Sequence, residues 1–146
     1  MQGELTLILP ARLREQIATE ARAAFPRECC GLIEGLREGC VVRAVALHPC
    51  ANLAAQDDCF EIDPARHVRV LRELRGTGRQ IVGCYHSHPN GRCMPSAKDA
   101  GQAVDDGFLW LVAALDSPAA DVAIGSFVYR DRAFAPLAVS LLDRAA

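Results

Sequence analysis

The sequence predicts an α+β fold, one mixed β-sheet with helices covering its faces. Three observations point there. Its 146 residues, 51% hydrophobic and 23% charged, have the composition of one packed domain, so residues 1–146 are read as a single unit. The apolar pattern switches along the chain between short strand-like runs and helical spacing. The resulting order, β-α-β-β-β-α-β-α-β-β-β, lets helices interrupt runs of strands without strict alternation.

Leu5 to Leu9 is a short apolar run stopped by Pro10, and reads as the first strand. From Ala11, Leu13, Ile17, Ala21 and Phe25 recur at helical spacing, and Pro26 ends that helix. Glu28 opens ECCGLIEG, an apolar run short enough for a buried strand. Val41 to Leu47 is its expected antiparallel partner across a turn from Glu34 to Cys40, and residues 48–58 read as a loop. Cys59 to Ile62 is expected as a short strand. Asp63-Pro64 is an N-cap followed by proline at the first helical position. The helix it starts is expected to bury Val68, Leu71 and Leu74, to turn Arg66, Arg69, Arg72 and Arg75 to solvent, and to end at Gly76 and Gly78. Gln80 to Tyr85 runs as a strand into His-Ser-His-Pro, and Ser96 starts a third helix. Phe108 to Leu115, Val122 to Tyr129 and Phe134 to Leu142 are the last three strands.

Sixteen basic against eighteen acidic side chains argue against a nucleic-acid or membrane-surface binder. No segment approaches the ~20 apolar residues of a membrane span. The N-terminus lacks the basic start and long apolar region of a signal peptide, so a cytoplasmic location is expected. Seven cysteines contain no Cys-x-x-Cys pair, which removes zinc-ribbon and thioredoxin-type readings. Short apolar edge strands leave a homodimer open.

The chemistry concentrates in His86-Ser87-His88-Pro89, followed by Ser96 and Asp99. On a strand, residues i and i+2 share a face, so His86 and His88 project side by side. Pro89 cannot extend the pairing, and the chain leaves the sheet there. Ser96 and Asp99 then fall at the N-cap and N3 of the third helix, the plain reading of which is capping. Two histidines and a carboxylate with one open position are the donor set of a catalytic Zn2+ site, with His86, His88 and Asp99 as ligands. Such a site activates water near neutral pH and still needs a proton carrier. Glu28, at the mouth of an apolar strand, is the candidate, and the Ser96 hydroxyl is placed to stabilise an oxyanion. Cys93, in the loop between the second histidine and Ser96, is read either as an ordinary loop thiol or as a soft ligand able to occupy the open zinc position.

These residues resemble the JAMM (MPN-plus) metallopeptidases, whose signature is an upstream Glu, then His-x-His-Pro, six residues, Ser, two residues and Asp. Glu28, His86, His88, Pro89, Ser96 and Asp99 match it position for position. PRECCGLIEG, Asn52, FEIDP and IVGCYHSHP extend the likeness over roughly residues 5–130. The resemblance implies a cytidine-deaminase-like α/β/α sandwich. It implies zinc on His86, His88 and Asp99, acid/base work by Glu28 and oxyanion stabilisation by Ser96. It further implies hydrolysis of an amide or isopeptide bond after the C-terminal Gly-Gly of a ubiquitin-like sulfur-carrier protein. The chain's length is similar to that of the compact, stand-alone bacterial type.

Rival readings separate on residues. A zinc nucleoside deaminase needs Glu two residues after a ligand His and a Pro-Cys-x-x-Cys, and both are absent here. A catalytically silent scaffold of the same fold usually lacks a ligand, and a RadC-like protein of unknown chemistry shares only the histidine segment.

Overall fold

The pairing of two long strands sets the frame. In the structure, a computed structural model describing residues 4–142, the elements are β1 (Thr6–Pro10), α1 (Ala11–Ala24), β2 (Cys30–Glu38), β3 (Val41–Cys50), α2 (Pro64–Leu74), β4 (Gln80–His88), α3 (Ala97–Gln102), β5 (Leu109–Ala114), β6 (Ala123–Arg130), β7 (Ala133–Pro136) and β8 (Ala138–Leu142). They form one mixed eight-stranded sheet in the order β7-β6-β5-β4-β2-β3-β1-β8. The predicted α+β class is the observed one. β2 and β3 make a longer hairpin than expected, since Glu38 pairs with Val41 and the turn shrinks to Gly39 and Cys40. Gly39 has φ 61°, a value glycine adopts without a Cβ clash.

β4 lies between β2, antiparallel to it, and β5, parallel to it. Strand alternation sends Tyr85 to one face and Cys84 to the other. On the first face α1 packs Leu13, Ile17, Ala18 and Ala21 against Leu7, Ile33, Val82 and Leu111. On the second, α2 packs Val70 and Leu74 with Leu32, Cys84, Phe60 and Trp110. Helices therefore cover both faces, and β4 is buried along nearly its whole length. Gly83 is required by the close approach of β5, because a Cβ there would lie 2.3 Å from the Leu109 carbonyl oxygen.

Three expectations need correction. Cys59 to Ile62 is not a strand; only Ile62 forms an isolated bridge, with Asn52. The α2 face is rotated from the expected one: Val70 is fully buried, while Val68 and Leu71 are 44% and 50% exposed. Arginine at every third position defines no unique polar face, and contact with β4 selects Val70 and Leu74. Phe134 to Leu142 is two strands, because the chain changes edges at Leu137. β7 pairs with β6 and β8 pairs with β1, at opposite ends of the strand order. One residue spans at most about 7 Å between its flanking Cα atoms, so the sheet must curl until its edges adjoin. Leu137 fills that junction, buried and donating its N–H to the Ser126 carbonyl at 3.0 Å.

Candidate metal centre

The site forms where β4 leaves the sheet. His86 and His88 project from its last turn of pleat, both buried. The chain then loops through Pro89 to Pro95 and returns as α3, with Ser96 as N-cap. The Ser96 side chain accepts from Asp99 N at 3.1 Å, and the Asp99 side chain accepts from Ser96 N at 2.8 Å, a full capping box. That local structure turns Asp99 inward, where it is 1% exposed. Its Oδ2 lies 3.0 Å from His86 Nε2 and 3.1 Å from His88 Nε2, and the two Nε2 atoms are 3.0 Å apart.

The donor set fits a zinc ion. Ligand atoms of a tetrahedral zinc with bonds of 2.0–2.1 Å stand about 3.3 Å apart, close to the separations of these three atoms. Two nitrogens and a carboxylate oxygen are also zinc's borderline ligand chemistry. His88 Nδ1 donates to the Arg92 carbonyl at 2.9 Å, which directs its Nε2 lone pair inward. The His86 ring is held by packing instead. Phe60 stacks on it at 4.4 Å and Trp110 meets it edge-on at 5.8 Å, while its Nδ1 has no partner among the described residues.

Glu28 completes the cluster from two residues before β2. One of its carboxylate oxygens lies within 4.8 Å of nitrogen atoms of His86 and His88. Its Oε1 is buried and has no hydrogen-bond partner among the described residues. The environments of the two acids diverge. Burial pushes Glu28 up to about 7, an effect that His88 only partly offsets. Burial acts on Asp99 in the same sense, but hydrogen bonds to His86 and His88 outweigh it and hold the carboxyl well below the usual range. Burial also lowers His86 and keeps it neutral. For His88 the bonds to Asp99 and to the Arg92 carbonyl overcome burial and raise it. Two carboxyl groups pushed apart in this way have the properties of a permanent ligand and a proton carrier.

Glu28, His86, His88 and Asp99 thus lie together, and Ser96, half-buried, caps the helix that carries Asp99. Cys93 is exposed, and the group whose ligand atoms all lie within 4.8 Å of one another is Glu28, His86 and His88, with Asp99 joined to it through the two histidines. Sequence reasoning gave no structural role to two residues beside the site. Ser87, between the histidines, is fully buried on the opposite face of β4 and contacts Cys29. Asn52 uses its whole hydrogen-bonding capacity on backbone: it donates to the Glu28 and Cys59 carbonyls and accepts from Ala54 N and Glu61 N. A polar residue on a buried strand and an Asn outside any regular element were the available signals. The loop that Asn52 organises is tied down by Arg27, which donates to the Ala54 carbonyl, and by Lys98, which donates to Asp58 Oδ1 at 2.8 Å.

This fold is that of a known group of proteins. The profile of the prokaryotic homologues of the JAB domain matches residues 10–127, and the chain belongs to that family, the prokaryotic branch of the JAMM/MPN proteins. Among curated relatives, Desampylase of Haloferax volcanii is 35% identical over 115 residues, covering 75% of this chain and 81% of that protein. A probable TtuB-protein conjugate cleaving protease of Thermus thermophilus is 32% identical over 102 residues, covering 68% of this chain and 64% of that protein. Protein DSY2949 of Desulfitobacterium hafniense superposes with a TM-score of 0.81 at 27% identity, covering 96% of this chain and 94% of that one. A JAB1/MPN domain protein of Archaeoglobus fulgidus, at 20% identity and a TM-score of 0.56, shares the fold over 94% of this chain and 99% of its own.

Proposed function

We propose that the chain is a zinc-dependent isopeptidase that cleaves the bond after the C-terminal Gly-Gly of a ubiquitin-like sulfur-carrier protein, in the cytoplasm. It is a hydrolase of the JAMM type, acting on ubiquitin-like modifiers. The names of its relatives support that class, since one removes a modifier and the other cleaves TtuB–protein conjugates. The observation that carries the reading is the unpaired, buried Glu28 carboxylate beside three converged metal-ligand atoms.

His86, His88 and Asp99 would hold the ion. Bound zinc supplies Lewis acidity, polarising the scissile carbonyl and lowering the pKa of water. Glu28 takes a proton from the attacking water through its unpartnered oxygen and returns it to the leaving amine. Its raised affinity for protons suits both steps. Ser96 accepts its capping bond through the oxygen lone pair, so its O–H is free to donate to the developing oxyanion. A Gly-Gly tail is thin and extended, and backbone hydrogen bonds can hold it without side-chain clashes.

The test is incubation of zinc-loaded protein with ubiquitin-like carriers extended past Gly-Gly, read by intact mass. Cleavage at that bond, abolished by a chelator and restored by zinc, is expected. Protein that takes up one zinc per chain and cleaves none of the fusions or lysine conjugates would overturn the reading. Failure to bind zinc after reconstitution would place the chain with the silent scaffolds.

A further inference from the structure

We infer that Ser87 and Asn52 are positioning residues that clamp the peptide bond following Glu28 and so set the aim of its carboxylate. The inference rests on the acid/base reading of Glu28.

That peptide group has two polar ends, the Glu28 carbonyl and the Cys29 N–H. The carbonyl accepts from Asn52 Nδ2 at 3.0 Å, and the N–H donates to Ser87 Oγ at 2.8 Å. One peptide group is therefore gripped at both ends, by a side chain of β4 and by one of the loop after β3. The Ser87 grip replaces a ladder bond. Cys30 faces His86 in the antiparallel β2–β4 pair, so Cys29 faces Ser87 one step on. Ser87 N donates to the Cys29 carbonyl at 3.1 Å, as the ladder requires. The reciprocal bond goes to the Ser87 hydroxyl in place of its backbone carbonyl. β2 thus leaves the sheet at this point, and the residue before Cys29 is Glu28.

The geometry accounts for a carboxylate that holds its place without a bond of its own. Glu28 Oε1 has no hydrogen-bond partner among the described residues, so packing and the backbone that carries it set its position. Ser87 sits between the two histidines in sequence, so the same strand that presents their rings also anchors the acid. Asn52 is fixed by its three other backbone bonds and acts as a rigid second jaw. A misplacement of about 1 Å in a catalytic group can cost on the order of a hundredfold in rate.

The experiment compares zinc-loaded wild type with Ser87→Ala, Ser87→Thr and Asn52→Ala on one Gly-Gly fusion, with zinc content and Cys29 amide exchange by NMR measured on each. For Ser87→Ala, kcat should fall about ten- to hundredfold. KM should stay within about twofold, zinc should remain at one per chain, and the threonine hydroxyl should restore kcat. The Cys29 amide should exchange faster in Ser87→Ala with or without metal. Wild-type kcat in both alanine variants, zinc lost in step with activity, or unchanged Cys29 protection in Ser87→Ala would each overturn the clamp. Should Ser87→Ala not fold, Asn52→Ala opens the same peptide from the other side, and a wild-type kcat there is equally fatal. A wild type that binds zinc and cleaves nothing defeats the parent reading, and the clamp is then decided by the Cys29 amide.

Discussion

Two buried glutamates, six residues apart around the start of β2, have opposite surroundings. Glu34 lies at a register shift in the sheet and is fully paired: His48 Nε2 is 2.8 Å from Oε1, and Arg79 Nε donates to Oε2. Burial raises its affinity for a proton, but the His48 and Arg79 bonds outweigh that, and its pKa is lowered. Glu28 is equally buried, keeps an oxygen unpaired, and is raised to about 7. The pair separates what burial alone does to a carboxylate from what burial with partners does. The satisfied acid ties β2, β3 and the start of β4 together. The unsatisfied one is the proton carrier of the proposed function, and among the described residues no hydrogen bond offsets the burial of its Oε1.

Exchanging each acid for its amide should break the comparison along that line. In Glu28→Gln, kcat should fall about 10²- to 10⁴-fold on a Gly-Gly fusion, with zinc retained, because the ligands are untouched. In Glu34→Gln, activity should stay within a few-fold, while urea denaturation should show a loss of about 1–3 kcal/mol. A reversal of these phenotypes would mean that the roles have been exchanged.

Acid and base titration of the metal-free protein sharpens the contrast. Glu28 is raised from 4.5 to about 7, so its contribution to stability is present below pH 4.5 and lost as the pH rises toward 7. Metal-free Glu28→Gln should therefore unfold at a higher temperature than metal-free wild type at pH 7, with the difference vanishing near pH 4. Glu34 has the opposite sign. Its contribution is present above the ordinary carboxylate pKa and is lost as the pH falls through the lowered one. Wild type and Glu34→Gln should converge in acid. Parallel stability curves for all three proteins would contradict the assignment.

How far this was legible in sequence depends on the range of the interactions. The proposed ligand set sits within fourteen residues, His86 to Asp99, where strand alternation and a capping box fix the geometry locally. Glu28 was legible only in combination, as an acid at the mouth of a strand beside a histidine and Ser-x-x-Asp segment that calls for a proton carrier. Glu34 was hidden inside the apolar run of that strand, since its partners His48 and Arg79 come from other parts of the chain. The inward face of α2 and the split at Leu137 were hidden for a related reason. Val68 and Leu71 are as apolar as Val70, and only the packed sheet decides between them. Pro136 marked no break until its strand was seen to lie at one edge and β8 at the other.

Two smaller effects bear on the same contrast. Zinc requires a neutral His88, whose pKa is raised, so zinc binding near pH 6.5 should release protons. Calorimetry in buffers of different ionisation enthalpy measures this, and zero release would contradict the ligand assignment. Arg72→Ala, on the exposed side of α2, touches neither glutamate and should change stability by less than about 0.5 kcal/mol.

The most direct measurement is the zinc stoichiometry of purified Asp99→Ala beside Glu28→Gln, by elemental analysis. The account predicts one ion per chain in wild type and in Glu28→Gln, and none in Asp99→Ala. Zinc retained without Asp99 and lost without the Glu28 carboxylate would show that the upstream acid is the ligand, and the division of labour argued for the two carboxylates would be wrong.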